Sequence, residues 1–148
     1  MVNKINEVLL DLNNQELFSL YHFIQVKPID KNHISNVLEN HSEIIVVEEG
    51  SVIGGFGSVV SQFVAQYFTD KRVSCLGIPD FFVAHATVSQ QEEISGISKN
   101  KLKEYLQSLP ITLFCIYGNH EERPENIKSY KEVEKFSGIV YRSEERRV

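Results

Sequence analysis

The apolar positions of this chain fall into alternating periods, and the alternation predicts its architecture. Ile5, Val8, Leu9 and Leu12 recur at the i, i+3, i+4, i+7 spacing of an amphipathic helix that Asn13-Asn14 stops. Leu17 to Val26 reads as a strand with Phe18, Leu20 and Phe23 inward, closed by Lys27-Pro28-Ile29-Asp30. Proline offers no ladder donor and biases Lys27 away from helix, while Asp30 suits the cap of a helix carrying Ile34, Val37 and Leu38. Ile44-Ile45-Val46-Val47, four β-branched residues in a row, predict a strand buried on both faces, because a covered parallel sheet needs no polar alternation.

Glu48-Glu49-Gly50 leaves that strand, and Gly54, Gly55 and Gly57 permit backbone angles and close approaches that a Cβ forbids. Ser58 then reads as the N-cap of a helix with Val60, Phe63, Val64 and Tyr67 on one stripe. Val73 to Ile78 is a third strand, broken by Pro79-Asp80, and Phe81-Phe82-Val83-Ala84-His85 is an apolar loop. Ser89-Gln90-Gln91-Glu92 has capping-box spacing for a short helix that Gly96 ends. Ser98 starts another helix with Leu102, Tyr105, Leu106 and Leu109 along one side, and Ile111–Tyr117 is the strongest strand signal of the second half.

Helix–strand alternation of this kind implies βαβ units. The expected fold is α/β, three-layer, with a mostly parallel sheet of about four strands flanked by helices. The first helix has no strand before it, so Ile111–Tyr117 is expected to join the sheet and fill the space of a missing first strand. Two regions are expected, residues 1–109 and residues 110–148, the second charge-rich from Glu125 onward and ending in a solvated tail.

Composition narrows the function classes. Hydrophobic residues make up 42% of the 148, enough for a packed core. Apolar runs of about five residues fall far short of the roughly 20 that span a bilayer, and the start lacks a secretory pattern, so a cytoplasmic protein without membrane partners is expected. The net charge of −5 and the absence of a basic aromatic-rich motif argue against nucleic acid as a partner. Cys75 and Cys115 each lie in an apolar run and read as buried reduced thiols.

Four candidate chemistries follow from the motifs. The Gly54–Gly57 turn entering a helix could cradle phosphate on its N–H groups or serve as a structural turn with Phe56 packed inward. Glu48 and Glu49 could form a carboxylate pair, but neighbours at a strand end point to opposite faces, which favours structural or interface hydrogen bonds. His85, between two alanines, suits packing or an interface bond. His22, His33 and His41 read as solvent-facing or edge residues, and no histidine pair has metal-ligand spacing.

Residues from about Ile5 to Leu109 resemble the C-terminal domain of the transketolase superfamily, most closely that of 1-deoxy-D-xylulose-5-phosphate synthases. The likeness is carried by Lys27-Pro28-Ile29-Asp30, Glu48-Glu49-Gly50, Gly54-Gly55-Phe56-Gly57-Ser58, and Gly77-Ile78-Pro79-Asp80-Phe81-Phe82-Val83-Ala84-His85. Ala86 departs from the glycine usual after that histidine. The resemblance implies a transferase that joins pyruvate and glyceraldehyde 3-phosphate with thiamine diphosphate and Mg2+, in isoprenoid precursor synthesis. It also implies that cofactor and substrates are held by domains other than this one. The chain would then carry no catalytic or cofactor-binding residue of its own and would be a scaffold or dimer-interface domain. Its partners would be the thiamine-diphosphate-binding domains or a second copy of itself.

From Ile111 onward the strand ending in Gly118-Asn119-His120-Glu121 resembles the G-N-H-[DE] block of calcineurin-like metallophosphoesterases, which implies metal binding at Asn119 and phosphate chemistry at His120. The further Asp and His ligands of such a two-metal site have no counterpart motif here. A metal-dependent phosphoesterase fragment is therefore the alternative function, and a rearranged gene product without activity the third.

Overall fold

A computed structural model describes residues 1–13, 17–23 and 26–109, and the backbone of residues 113–118. The elements in chain order are α1 (Val2–Leu10), β1 (Phe18–Phe23), α2 (Lys31–Glu39), β2 (Glu43–Ser51), α3 (Phe56–Tyr67), β3 (Arg72–Ile78), α4 (Val88–Ile94), α5 (Lys99–Ser108) and β4 (Leu113–Gly118). All strand pairs are parallel, in the order β1-β4-β2-β3. β4, the last strand among the described residues, is thus an inner strand, with Phe18 in register with Leu113 on one side and Ile44 with Phe114 on the other. Without it β1 would have no partner among the described residues. The expectation that this segment joins the sheet holds for Leu113–Gly118.

Strand alternation divides the core in two. Ile45 and Val47 of β2 face a cluster with Phe18 and Leu20, closed by Ile5, Val8 and Leu9 of α1 and Leu102 and Leu106 of α5. Ile44 and Val46 face the opposite cluster, with Phe23, Ile34, Val37 and Leu38 of α2, and Phe56, Val60 and Val64 of α3. Two helices therefore cover each face, and the run Ile44–Val47 is at most 1% exposed. Burying side chains of that size contributes about 1.5–3 kcal/mol each. The three-layer α/β arrangement read from the sequence is the one observed.

Local signals set most helix starts. Asp30 accepts the N–H of His33 at 2.9 Å and opens α2, and Ser98 accepts that of Lys101 and opens α5. Gly96, at φ +75°, turns the chain after α4. Several expectations shift. α1 ends at Leu10, three residues before Asn13, although Leu12 remains buried; Asn14 lies outside the described residues. β1 is shorter than Leu17–Val26.

The capping box of α4 is formed by Thr87 and Gln90, not by Ser89 and Glu92. Thr87 donates its N–H to Gln90 Oε1 at 3.0 Å, while Glu92 turns away to Lys4 of α1. Tyr67 is exposed at the end of α3, its ring 5.0 Å from that of Phe63.

Candidate functional site

The carboxyl ends of β1 and β2 and the start of α3 meet around Glu48. Its side chain is 5% exposed, and it bends back over the glycine turn. Oε2 accepts the N–H of Phe56 at 2.9 Å, and Oε1 accepts that of Gly57 at 3.1 Å. A carboxylate bonded to the first free N–H groups of a helix satisfies two orphan donors and sits favourably in the helix dipole. Glu48 thereby caps α3 from another element.

Ser58 is not the N-cap. The helix begins at Phe56 with Gly55 in the capping position, and Ser58 instead laces the turn. Its hydroxyl accepts the N–H of Gly54 at 3.0 Å and donates to the carbonyl of Val52 at 2.7 Å.

Close packing around this carboxylate accounts for part of the glycine pattern. Within the turn, Gly54 has left-handed backbone, at φ +75°. At Gly55 an added Cβ would stand 2.2 Å from both Glu48 Oε2 and the carbonyl of Ser51. At Gly57 it would meet Cys75 Sγ at 2.6 Å and Glu48 Oε1 at 3.1 Å, and at Gly77 the carbonyl of Gly50 at 2.8 Å and Glu48 Cγ at 3.0 Å. Gly55 is bare for Glu48 and the Ser51 carbonyl, Gly57 chiefly for the Cys75 sulfur, and Gly77 for the Gly50 carbonyl and the Glu48 side chain. Gly50 carries no such constraint, since its Cβ would reach Glu48 only at 3.7 Å.

Gly77 escapes sequence reasoning, because a lone glycine inside a strand gives no local hint of which neighbour it admits. Phe56 packs inward as expected, 5.2 Å from the ring of Phe23.

This geometry answers the phosphate-cradle alternative. Phe56 and Gly57, two of the amides a phosphate would use, already serve Glu48. A cleft of about 600 Å³ does open beside the turn, lined by Lys27, Ile29, Glu48, Gly54 and Val59 among others. Its buried charge is the carboxylate, the wrong sign for an anion. Lys27, which lines the cleft, is exposed and is joined to the exposed Pro28 by a cis peptide bond.

Glu48 and Glu49 part company, as alternation requires. Glu49 turns to the other side of the sheet, its Oε1 3.1 Å from the backbone nitrogen of Met1. It borders a second cleft, of about 490 Å³, below Phe81 and Phe82. Pro79 and Asp80 end β3, and His85 is exposed on the following loop, rather than packed.

The remaining histidines differ from expectation in part. His22 is 5% exposed, not solvent-facing, and burial, with the positive charge of the Met1 amino group second, lowers its pKa to about 4. By alternation His22 shares the face of Leu20, which packs against α1, and the Met1 amino charge at the start of α1 acts on it; the sequence around His22 does not reveal that cover. His33 is half-buried and meets Phe23 and Tyr21 edge-on at ring distances of 5.0 and 5.5 Å. His41 bonds the Val37 carbonyl through Nδ1 at 2.8 Å, and burial followed by the Lys71 charge lowers its pKa to about 4.

Cys75 is half-buried, rather than buried, with its sulfur 3.4 Å from the Ser61 hydroxyl. The side chain of Cys115, and Asn119 and His120 with the rest of the metallophosphoesterase-like stretch after Gly118, lie outside the described residues.

Among the described residues no three of the His, Cys, Asp and Glu side chains stand together as a metal cluster, and no helix is long and apolar enough to cross a membrane. The helix N-terminus beside the glycine turn is closed by Glu48.

Residues 1–102 match the family model described as transketolase, C-terminal domain. The chain is 33% identical over 108 residues to the 1-deoxy-D-xylulose-5-phosphate synthase of Francisella philomiragia, covering 68% of this chain and 17% of that one. It is 32% identical over 105 residues to the synthase of Blochmanniella pennsylvanica, covering 71% and 15%. It is 29% identical over 106 residues to that of Parabacteroides distasonis, covering 69% and 17%. The chain thus spans less than a fifth of the length of the curated relatives it matches. No metallophosphoesterase is among these matches. With two thirds of its residues under the family model and the motif glycines gathered around one carboxylate, the chain belongs to the transketolase C-terminal domain family.

Proposed function

We propose that this chain is a non-catalytic C-terminal domain of a thiamine-diphosphate-dependent 1-deoxy-D-xylulose-5-phosphate synthase-type enzyme, in isoprenoid precursor synthesis. It acts as a scaffold and interface. Its partners are the thiamine-diphosphate-binding domains of the same enzyme type or a second copy of itself, and its compartment is the cytoplasm. The observation that carries this is the capping of α3 by Glu48. The most chemically suggestive element of the fold, a glycine turn beside a buried carboxylate, is spent on holding a strand to a helix. Further support comes from the short share of each relative that the chain covers, which leaves most of a synthase to be supplied by other domains.

The test is association and complementation. The chain is co-expressed with the upstream domains of a synthase, then assayed by pull-down and by rescue of a strain whose own synthase lacks this domain. Co-purification with rescue is expected. Neither association nor rescue would remove the basis for a scaffold role.

A further inference from the structure

Between Arg72 and Lys99 the chain carries no lysine or arginine, while Asp80, Glu92 and Glu93 are acidic. The same stretch exposes large apolar side chains. Phe82 is fully exposed, Val88 is 70% exposed, and Phe81 and Ile94 are about half exposed. α4 has no buried residue. Soluble surfaces carry scattered apolar residues, but a contiguous apolar patch beside a cleft marks a contact site.

The cleft of about 490 Å³ lies beneath this patch, walled by Phe81, Phe82 and Val88, with Glu49 and Glu92 among its polar residues. Ser95 also lines it. Its side chain is 9% exposed, and its hydroxyl finds no hydrogen-bond partner among the described residues. A buried hydroxyl without a partner is destabilising, and an entering donor or acceptor would relieve that. The rim is acidic. Lys4 holds Glu92, and the Met1 amino nitrogen stands at Glu49, but Asp80 makes no salt bridge among the described residues.

We propose that this face docks a protein segment presenting an apolar side chain between basic neighbours. The apolar group enters between Phe81, Phe82 and Val88, a polar group beside it pairs with the Ser95 hydroxyl, and lysine or arginine meets Asp80 and the exposed Glu93. A second copy of this chain is the poorer occupant, because a two-fold contact here sets acid against acid. The assignment rests on the reading of the chain as an interface domain and names the face and the chemistry of the segment it receives.

The probes are three fluorescein-labelled peptides of equal length, titrated with the full chain and followed by anisotropy. One has a phenylalanine–leucine centre flanked by arginines, one the same centre flanked by glutamates, and one an alanine centre flanked by arginines. Saturable binding is expected for the first alone, weakened by added salt and weakened at least about tenfold by Phe82→Asp. Ser95→Ala should weaken it less, with both variants melting as the parent does.

Equal binding of the alanine-centred peptide, indifference to Phe82→Asp, or no saturation up to about 1 mM would overturn the proposal. A dimer in sedimentation velocity that Phe82→Asp dissolves would reassign the face to a second copy and overturn it too. Co-purification with synthase domains that survives Phe82→Asp would sink this surface while leaving the interface role standing.

Discussion

Glu48 and Phe56 are joined across eight residues of chain by a 2.9 Å bond from the Phe56 N–H to the Glu48 carboxylate, and both residues are buried. The end of a strand is thereby fastened to the beginning of the next helix. Replacing Glu48 by Gln puts an amide where one of two carboxylate oxygens now accepts, leaving an N–H of Phe56 or Gly57 unanswered. A loss of about 2–3 kcal/mol is expected for Glu48→Gln, seen as a lower urea midpoint at unchanged slope. A loss below about 0.5 kcal/mol would mean that the bond contributes little.

Gly57 supplies a coupled test. A methyl group there collides with the Cys75 sulfur at 2.6 Å, so Gly57→Ala should cost about 1–3 kcal/mol by overpacking. Cys75→Ala in that background should return part of the loss, a non-additive double-mutant cycle. Gly55→Ala meets the backbone carbonyl of Ser51 at 2.2 Å and should find no such rescue. Additive values for Gly57 and Cys75 would place the collision elsewhere.

Much of this was legible from the residues, and what was not has physical reasons. Ile44–Val47 announced a strand covered on both faces because nothing polar interrupts it, and Asp30, Ser98 and Gly96 act through nearest-neighbour chemistry. Ser58 and Ser89 carry the right side chains for capping, but competing partners took the helix starts. Glu48 reaches α3 from eight residues upstream, and Thr87 sits two residues ahead of Ser89. Burial of His22 depends on the cover that α1 gives its face of β1, and Gly77 depends on a side chain one strand away. Long-range pairing decides these positions.

Acid should loosen the fold. His22, and in the same direction His41, have folded pKa values lowered to about 4 from the usual 6.5. Below pH 6.5 the unfolded chain takes up protons that the folded chain refuses. Their stabilising effect is therefore fully present above that pH and is lost as pH falls toward 4. His22, the more completely buried, should account for on the order of 2–3 kcal/mol across that window. Urea midpoints at pH 7, 5.5 and 4.5 measure it, and His22→Phe should flatten the slope. An unchanged slope in that variant would assign the acid sensitivity to other groups.

The central claim is that this chain supports a thiamine-diphosphate enzyme without taking part in its chemistry. The most direct measurement is steady-state kinetics of a chimera. In it the 106 matched residues of the Parabacteroides distasonis synthase are replaced by the corresponding residues of this chain, with and without Glu48→Gln. The account predicts an active chimera, and a Glu48→Gln form that melts earlier yet keeps its KM values and its kcat per folded enzyme. A folded chimera without activity, or a Glu48→Gln form of undiminished stability whose kcat falls by orders of magnitude, would contradict it.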